Sequence, residues 1–510
     1  MSLMPDFIAA APIKPLVNVG ACLDIPNGIF VLGMHGESIL NGGVGALTGI
    51  AGIGNNFKST LMHYMFIRAM ARMDGSFGST YDTEVNIHEW HLKTFMENIE
   101  ELNGVDLIEA CRWLITDKTI YHADEWFDKF KESVNLKRKN QAKYMRQSPF
   151  IGRDGKNMMI IQPTFAELDS MSEFVTQDVI KMQDENSLGD AGGNMVSMRQ
   201  GNQKNRFLME APSLMGGSST YMLMTSHLGN EFNMDPRNPA PKKLQHLPQG
   251  VKLKGVPEKF TFVMNVCYLC HSARPLINQL NKTPEYPRDA DDDLTGDTDL
   301  NIVSVKVLRN KSGASGMTTE LIVSQAEGVN AALTEFHNIK SSERFGLVGN
   351  DRNYVNALAP HHKLSRTTVR GKIAKHADLR RAMNICSEIS QMKDLWHHLE
   401  EDFLCDPTDL YEDLIAKGYK WEDLLNTRGW WALDNDKHPI KFLSSMDLLR
   451  MRWGIYHPYW MPLLPGMEKV EMPMGIDGKP TSIPFTYPIN GMLRAARVGV
   501  PKANKIAPVD

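Results

Sequence analysis

The sequence predicts an α/β fold followed by a mainly helical C-terminal region. Up to about residue 340, short apolar runs that end in polar residues are interspersed with helical periodicity; beyond it strand signals thin and the helical period dominates. A glycine-rich turn set between one such run and a helix marks the place where this fold would present a site.

With 510 residues the chain has room for a large core and for more than one domain. Apolar residues make up 42% and charged residues 23%, the balance of an ordinary water-soluble globular protein. A net charge of −4 gives no overall basicity that would advertise nucleic acid, although local patches, not the sum, govern phosphate affinity. Six cysteines over this length do not form a disulfide framework, and a reducing cytoplasm is expected. The segment Met1 to Cys22 is interrupted by Pro5, Pro12 and Pro15 and lacks a basic leader, so no signal peptide is expected. No uncharged apolar run reaches the roughly 18 residues that span a bilayer, so no membrane partner is expected.

Residues 46–51 read Ala-Leu-Thr-Gly-Ile-Ala, a short run suited to a buried parallel strand. Gly52, Ile53, Gly54, Asn55, Asn56, Phe57, Lys58, Ser59 and Thr60 follow. Leu61, Met62, Met65, Phe66, Ala69, Met70 and Met73 then recur at helical spacing, with Gly75 as the stop. Strand, glycine turn and helix start together make an anion site, because free N–H groups and the helix dipole point at phosphates. Lys58 would reach the β- and γ-phosphates of ATP, and the Ser59 hydroxyl would complete a Mg²⁺ shell. Phe57 stands where this motif usually has its second glycine; a glycine turn before a helix can also be only a turn.

The G-x-x-x-x-F-K-S form resembles the phosphate loop of phage UvsX recombinases, a branch of the RecA family. The resemblance extends over roughly residues 30–345 and implies a RecA-like P-loop ATPase core with a mostly parallel twisted sheet. Tyr81-Asp82-Thr83-Glu84 resembles the strand end whose glutamate orients the attacking water, which places that role on Glu84. Trp90 and His91 fall where the family has residues near adenine; packing at the surface or in the core is the alternative. Asp169-Ser170 closes an apolar run that resembles the Walker B segment, whose aspartate holds the Mg²⁺ water shell, although Glu167 inside the run departs from the pattern. Ser226-His227 ends another run where the family carries a γ-phosphate sensor, keeping its histidine.

The resemblance also implies DNA contacts. Residues 187–195, with Gly189, Gly192 and Gly193, resemble the family's first DNA loop, and Arg199 and Lys204 supply charge nearby. Residues 229–259 occupy the place of the second loop, with Phe232, Lys242, Lys243, Lys252, Lys254 and Lys259 suited to backbone contact and base stacking. Arg309-Asn310-Lys311 stands where RecA reaches into a neighbouring subunit's ATP site, so Arg309 and Lys311 are expected to complete catalysis in trans; a solvated hairpin tip is the alternative. Phe7-Ile8-Ala9-Ala10 resembles the F-x-x-A contact between recombinase subunits, and Arg428-Gly429-Trp430-Trp431 the G-W-Y segment after the core.

Three further stretches carry weaker signals. Cys267-Tyr268-Leu269-Cys270-His271 has metal-ligand residue types but lies in a run the core needs as a strand. The acidic run from Arg288 to Asp299 reads as a mobile insertion, and the basic stretch Lys137-Arg138-Lys139 to Arg146 as a helical insertion with a solvated face. Residues His362 to Arg381, with Lys363, Arg366, Arg370, Lys372, Lys375, Arg380 and Arg381, read as an accessory DNA contact or a solvated helix face.

The expected organisation is an N-terminal segment (1–30) contributing a subunit contact, an ATPase core (31–345) with insertions near 125–157 and 280–300, and a mainly helical region (346–510). The expected activity is DNA-dependent ATP hydrolysis by a recombinase that forms filaments on single-stranded DNA and pairs it with homologous duplex. A loader and a single-strand-binding protein would accompany it, in a host cytoplasm or nucleoid if the chain is viral. The alternatives are a hexameric DnaB-type helicase ring on the same fold and an ATP-binding scaffold without DNA chemistry.

Overall fold

Ten strands form one large mixed sheet: β1 (Leu47–Gly52), β2 (Phe77–Asp82), β3 (Trp113–Asp117), β4 (Thr164–Asp169), β5 (Thr220–Asn230), β6 (Val251–Lys254), β7 (Val266–Pro275), β8 (Leu300–Asn310), β9 (Thr318–Ser324) and β10 (Gly328–Val329). The computed structural model describes residues 13–152, 156–185, 193–231, 244–280, 282–288, 292, 298–350, 352–399, 401–433 and 441–465. The strand order is β10-β9-β8-β7-β1-β5-β4-β2-β3, with β6 added to β5. Strands β7, β1, β5, β4, β2 and β3 run parallel, whereas β8, β9, β10 and β6 pair antiparallel. From β1 the chain passes to β2 on one side, fills the gap with β4 and β5, and then crosses to β7 on the other side. Such a reversal opens a crevice at the carboxyl ends of the strands.

Helices cover both faces, which is why the parallel strands read as apolar runs without polar alternation. On one face α1 (Lys58–Arg72) and α2 (Glu89–Glu97) pack Leu61, Met62, Phe66, Met70, Leu92 and Phe95 against Ile50, Phe165, Tyr221 and Leu223. On the other, α3 (Ala123–Lys139) and α4 (Gly193–Gly216) pack Trp126, Phe127, Phe130, Phe207 and Leu208 against Leu47, Ala51, Leu168, Met222 and Met224. Each such side chain contributes about 1.5–3 kcal/mol by burial. The stretch read as a basic insertion therefore supplies α3, a covering helix. Its Lys137 is buried and donates to Thr164 Oγ1 at 2.9 Å, and burial pushes its ammonium down to about 7. Arg138 donates to the carbonyl of Leu214 at 3.2 Å. The heads of these cations find hydroxyl and carbonyl partners within the fold.

Beyond α5 (Ala331–Ser341) three short antiparallel strands, β11 (Leu347–Asn350), β12 (Asn353–Asn356) and β13 (Ala359–Leu364), precede the long α6 (Ala377–Leu395). The helical expectation for 346–510 thus misses a small sheet, because strands of four to six residues are too short to establish an alternating pattern. Trp431 is buried, donates from its indole to the carbonyl of Leu16 at 2.9 Å, and ties this region to the back of the core.

The acidic and basic runs meet one another. Asp299 accepts from Arg370 at 2.8 and 3.0 Å, from Arg288 at 2.8 Å and from Ser324 at 2.7 Å. Arg380 pairs with Glu100 at 2.7 Å, and Arg381 is buried against Asn384 and the carbonyl of Leu443. The arginines read as an accessory DNA contact are thus largely committed within the fold, and the C-terminal end of the acidic run is an anchor. Burial, the largest influence on Asp299, pushes its carboxyl upward, but its hydrogen bonds to Arg370 and Ser324 and the charge of Arg370 hold it well below the usual carboxylate range. A depressed carboxylate stabilises the fold above its unfolded pKa of about 3.9 and loses that contribution as pH falls through the folded value. Asp299→Asn is therefore expected to cost about 1–2 kcal/mol, less than a fully buried pair because the site is partly exposed. In urea unfolding followed over a pH series, the deficit should hold constant from about pH 7 to pH 5 and shrink below about pH 4. A deficit that persists unchanged in acid would show that packing, and not charge, anchors this corner.

Candidate functional site

The 52–60 turn leaves β1 and enters α1. Gly52 must lack a side chain, because a Cβ there would lie 2.9 Å from Lys58 Cγ and 3.1 Å from the carbonyl oxygen of Cys270. A Cβ on Gly54 would meet nothing within 4 Å, so the space over the turn is open. Ile53, Gly54 and Asn55 are exposed, and Asn56 ties the turn to β7 through the carbonyl of Cys270 at 3.3 Å. Phe57 is left-handed (φ 58°, ψ 27°), the conformation a glycine would adopt freely, and its ring is partly buried against the core. That backbone costs an L-residue about 1–2 kcal/mol, offset by burying the ring.

Phe57 offers no side-chain cap, and the first turn of α1 carries no acidic residue. The N–H groups and positive dipole end of this 15-residue helix therefore face the open turn unneutralised. Lys58 is buried, with its ammonium 3.0 Å from the carbonyl oxygen of Ile53. Ser59 and Thr60 follow on the first helical turn, half-buried.

Strand register carries the rest of the site to the same place. Gly52 pairs with His227 across β1 and β5, and Asp82 pairs with Asp169 across β2 and β4. Thr225 of β5 donates to Asp169 Oδ1, which closes the row. Since side chains alternate, Asp82, Asp169, Thr225 and His227 all emerge on the α1 face. Glu84, just past β2, meets His227 Nε2 at 2.8 Å and accepts from Asn86 at 3.2 Å, with both partners of the His–Glu pair about one-quarter exposed. The Asp169–Ser170 peptide is cis. Among the described residues, the buried hydroxyls of Ser170 and Ser226 have no hydrogen-bond partner. An open anion cradle, a buried aspartate and a serine at the helix start are groups that would suit a phosphate chain with a divalent cation.

No protein-family model matches this chain, and no curated protein matches it. The geometry therefore stands by itself.

Several residues of this row carry no obvious sequence signal. Buried Asp82 accepts from the N–H groups of Glu84, Val85, Asn86 and Ile87 at 2.8–2.9 Å and so shapes the loop that presents Glu84. Glu167, which broke the apolar pattern of its strand, is fully buried and bonds His63 of α1 at 3.1 Å and Thr80 at 2.6 Å. Burial, the largest influence on His63, pushes its pKa down, but the charge and hydrogen bond of Glu167 carry it above the ordinary value. Only an acid two residues before Asp169, and a histidine four after Ser59, hinted at this pair.

Other expected site residues make contacts of their own. His91 turns to the carbonyl of Gln325 at 3.0 Å, and the Trp90 ring is 68% exposed at the start of α2. Arg309 stacks on Phe262 at 5.1 Å, and Lys311 donates to the carbonyl of Val263 at 3.2 Å. Asn310 pairs with Val266, itself beside Thr48, so this hairpin tip lies at the amino end of β1, opposite the turn. Arg309 and Lys311 cannot serve this chain's own turn. Burial, with Arg309 and Lys14 adding to it, lowers the Lys311 pKa.

Of the DNA-loop residues, Gly189, Gly192, Phe232, Lys242 and Lys243 lie outside the described residues, as does the Phe7–Ala10 segment. Gly193 begins α4, and Arg199 on that helix pairs with Asp178 at 3.2 Å, both more than half exposed. Lys204 turns inward: it is buried, donates to the carbonyls of Ser172 (2.6 Å) and Gly255 (2.7 Å), and burial pushes it down to about 8 against the pull of Glu173. Lys252 and Lys254 are exposed on β6, directly across from Gly229 and His227. Cys267 and Cys270 belong to core clusters on opposite faces of the sheet and share no ligand position. Among the described residues no helix is long and apolar enough to cross a membrane.

Proposed function

We propose that this chain is a RecA-type, DNA-dependent ATPase that forms filaments on single-stranded DNA and promotes homologous pairing and strand exchange. One observation carries the reading: an uncapped helix start bearing Lys58 and Ser59, a buried Asp169 and the Glu84–His227 pair converge at the carboxyl ends of the central strands. ATP would supply the phosphoanhydride bond, and Mg²⁺ would supply charge that neutralises its phosphates. The N–H groups of 52–60 and Lys58 would bind and neutralise the phosphate chain, and Ser59 and Asp169 are the residues that would hold the metal's shell. Glu84 aligns a water and takes its proton, and His227 holds that carboxylate in place. The position of Arg309 and Lys311, at the far end of the sheet from the turn, supports their acting on a neighbour's site in a filament or ring. Lys252 and Lys254 belong to the proposed second DNA loop and lie across from Gly229 and His227, which supports DNA occupancy being felt at the turnover site.

The test is ATP hydrolysis by the full chain with and without single-stranded DNA, its oligomers imaged in the same buffer. Turnover stimulated at least about tenfold, with helical filaments, is expected. Stimulated turnover with closed rings would favour the helicase. Turnover indifferent to DNA would leave the ATPase and remove the nucleic-acid function.

A further inference from the structure

Two adjacent histidines on a regular strand point to opposite faces. His361 and His362 do not. Strand β13 pairs Lys363 with Val355 and Leu364 with Tyr354, but the next pair is Ala359 with Asn356, so Pro360, His361 and His362 are extra residues in a bulge. The bulge lets both rings turn to one side, with centroids 4.1 Å apart. There both Nε2 atoms reach the same oxygen, Asp378 Oδ2, each at 2.8 Å. Asp378 sits in the first turn of α6, where the helix start favours a carboxylate, and a third ring, His376, lies 4.3 Å from that of His362.

We propose that His361, His362 and Asp378 form a site for one divalent transition-metal ion of the zinc class, clamping the small β11–β13 sheet to the start of α6. The three ligand atoms lie within 4.8 Å of one another, close enough for small side-chain rotations to bring each to the roughly 2.0–2.2 Å of zinc–nitrogen and zinc–oxygen bonds. Two imidazoles and one carboxylate are borderline donors that select zinc, nickel, cobalt or copper over magnesium and calcium, which require more oxygens. The cations close by in sequence, Lys363, Lys372 and Lys375, add to that selection, since a site held by charge alone would be weakened by them. His361 is 62% exposed, which leaves an entry path and an open coordination position. Binding replaces the two N–H···O bonds by metal–nitrogen and metal–oxygen bonds, and each ring moves its single proton from Nε2 to Nδ1 so that the Nε2 lone pair faces the ion. The site lies outside the row around Lys58 and Asp169, so it stands whether or not the ATPase reading does.

The experiment is calorimetric titration of Zn²⁺ into untagged, nucleotide-free full chain, stripped with chelator and held in excess Mg²⁺. One equivalent per chain is expected, with Co²⁺ giving a visible absorption band at the same stoichiometry. His361→Ala and Asp378→Asn should each weaken binding by about tenfold or more, since even groups behind the ligands are worth about 10–100-fold. Zn²⁺ should raise the melting temperature of the parent chain and, at the same concentration, raise that of Asp378→Asn clearly less. If Asp378→Asn does not fold, His361→Ala decides, because its exposed ring is not needed for packing. No saturable uptake, or uptake unchanged by the substitutions, would overturn the proposal.

Discussion

Lys58→Ala is expected to lower ATP turnover by on the order of 10²–10³-fold, the loss typical when one aimed donor to a developing charge is removed. Lys58 is the first residue of α1, its stem lies over Gly52, and its ammonium is held inside the turn by the carbonyl of Ile53. Nothing acidic pairs with it in the first turn, so its charge is available to an anion entering the open space over Gly54. The substitution removes that charge while the helix and its apolar stripe remain, so the melting temperature should change little beside the activity. Near-normal hydrolysis by the folded variant would remove the phosphate-loop assignment. Weakened nucleotide binding at unchanged kcat would instead give Lys58 a role in binding alone.

Glu84→Gln should divide binding from chemistry. Glutamine keeps the size of the side chain, its reach to His227 and an acceptor for Asn86, but it cannot take a proton. Hydrolysis is expected to fall by about 10²–10⁴-fold, the usual contribution of a general base, with nucleotide affinity nearly unchanged. The loop geometry should survive, because Asp82 and not Glu84 holds the backbone of residues 84–87. Single-turnover kinetics with a separate binding assay would check this. Unchanged turnover would place the water-orienting residue elsewhere, with Asp169 the next carboxylate along the row.

Both predictions rest on residues the sequence already singled out, and the two cases differ in how far sequence alone could go. Strand, turn and helix from residue 47 to 72 are written in local terms: an apolar run, glycines where close approach demands them, and apolar residues at helical spacing. Even the departure at Phe57 was visible there. Its meaning was not, since the left-handed backbone and the partly buried ring are seen only in the packed turn. The likeness of separate segments to known motifs picks out Glu84, Asp169 and His227 one by one. Their convergence is a matter of register between strands far apart in the chain, which local periodicity does not encode.

Charge was the least legible property. Lys137, Lys204, Arg370 and Arg381 all read as solvated or nucleic-acid-facing cations, yet each is buried and bonded within the fold. A charged residue type says that a partner is needed but not whether that partner is water, a phosphate, a carbonyl or an aspartate. Glu167 shows the same in reverse: it looked like a flaw in a core strand and is the buried partner of His63. By itself the sequence determined the α/β class, the turn and helix that begin the site, and the residue types that chemistry there would need. Tertiary structure decided which charges face inward, which side of the sheet each hairpin tip occupies and how His361 and His362 come to share one carboxylate. Those outcomes depend on pairing and burial between distant segments, whose free energy no local stretch of chain contains.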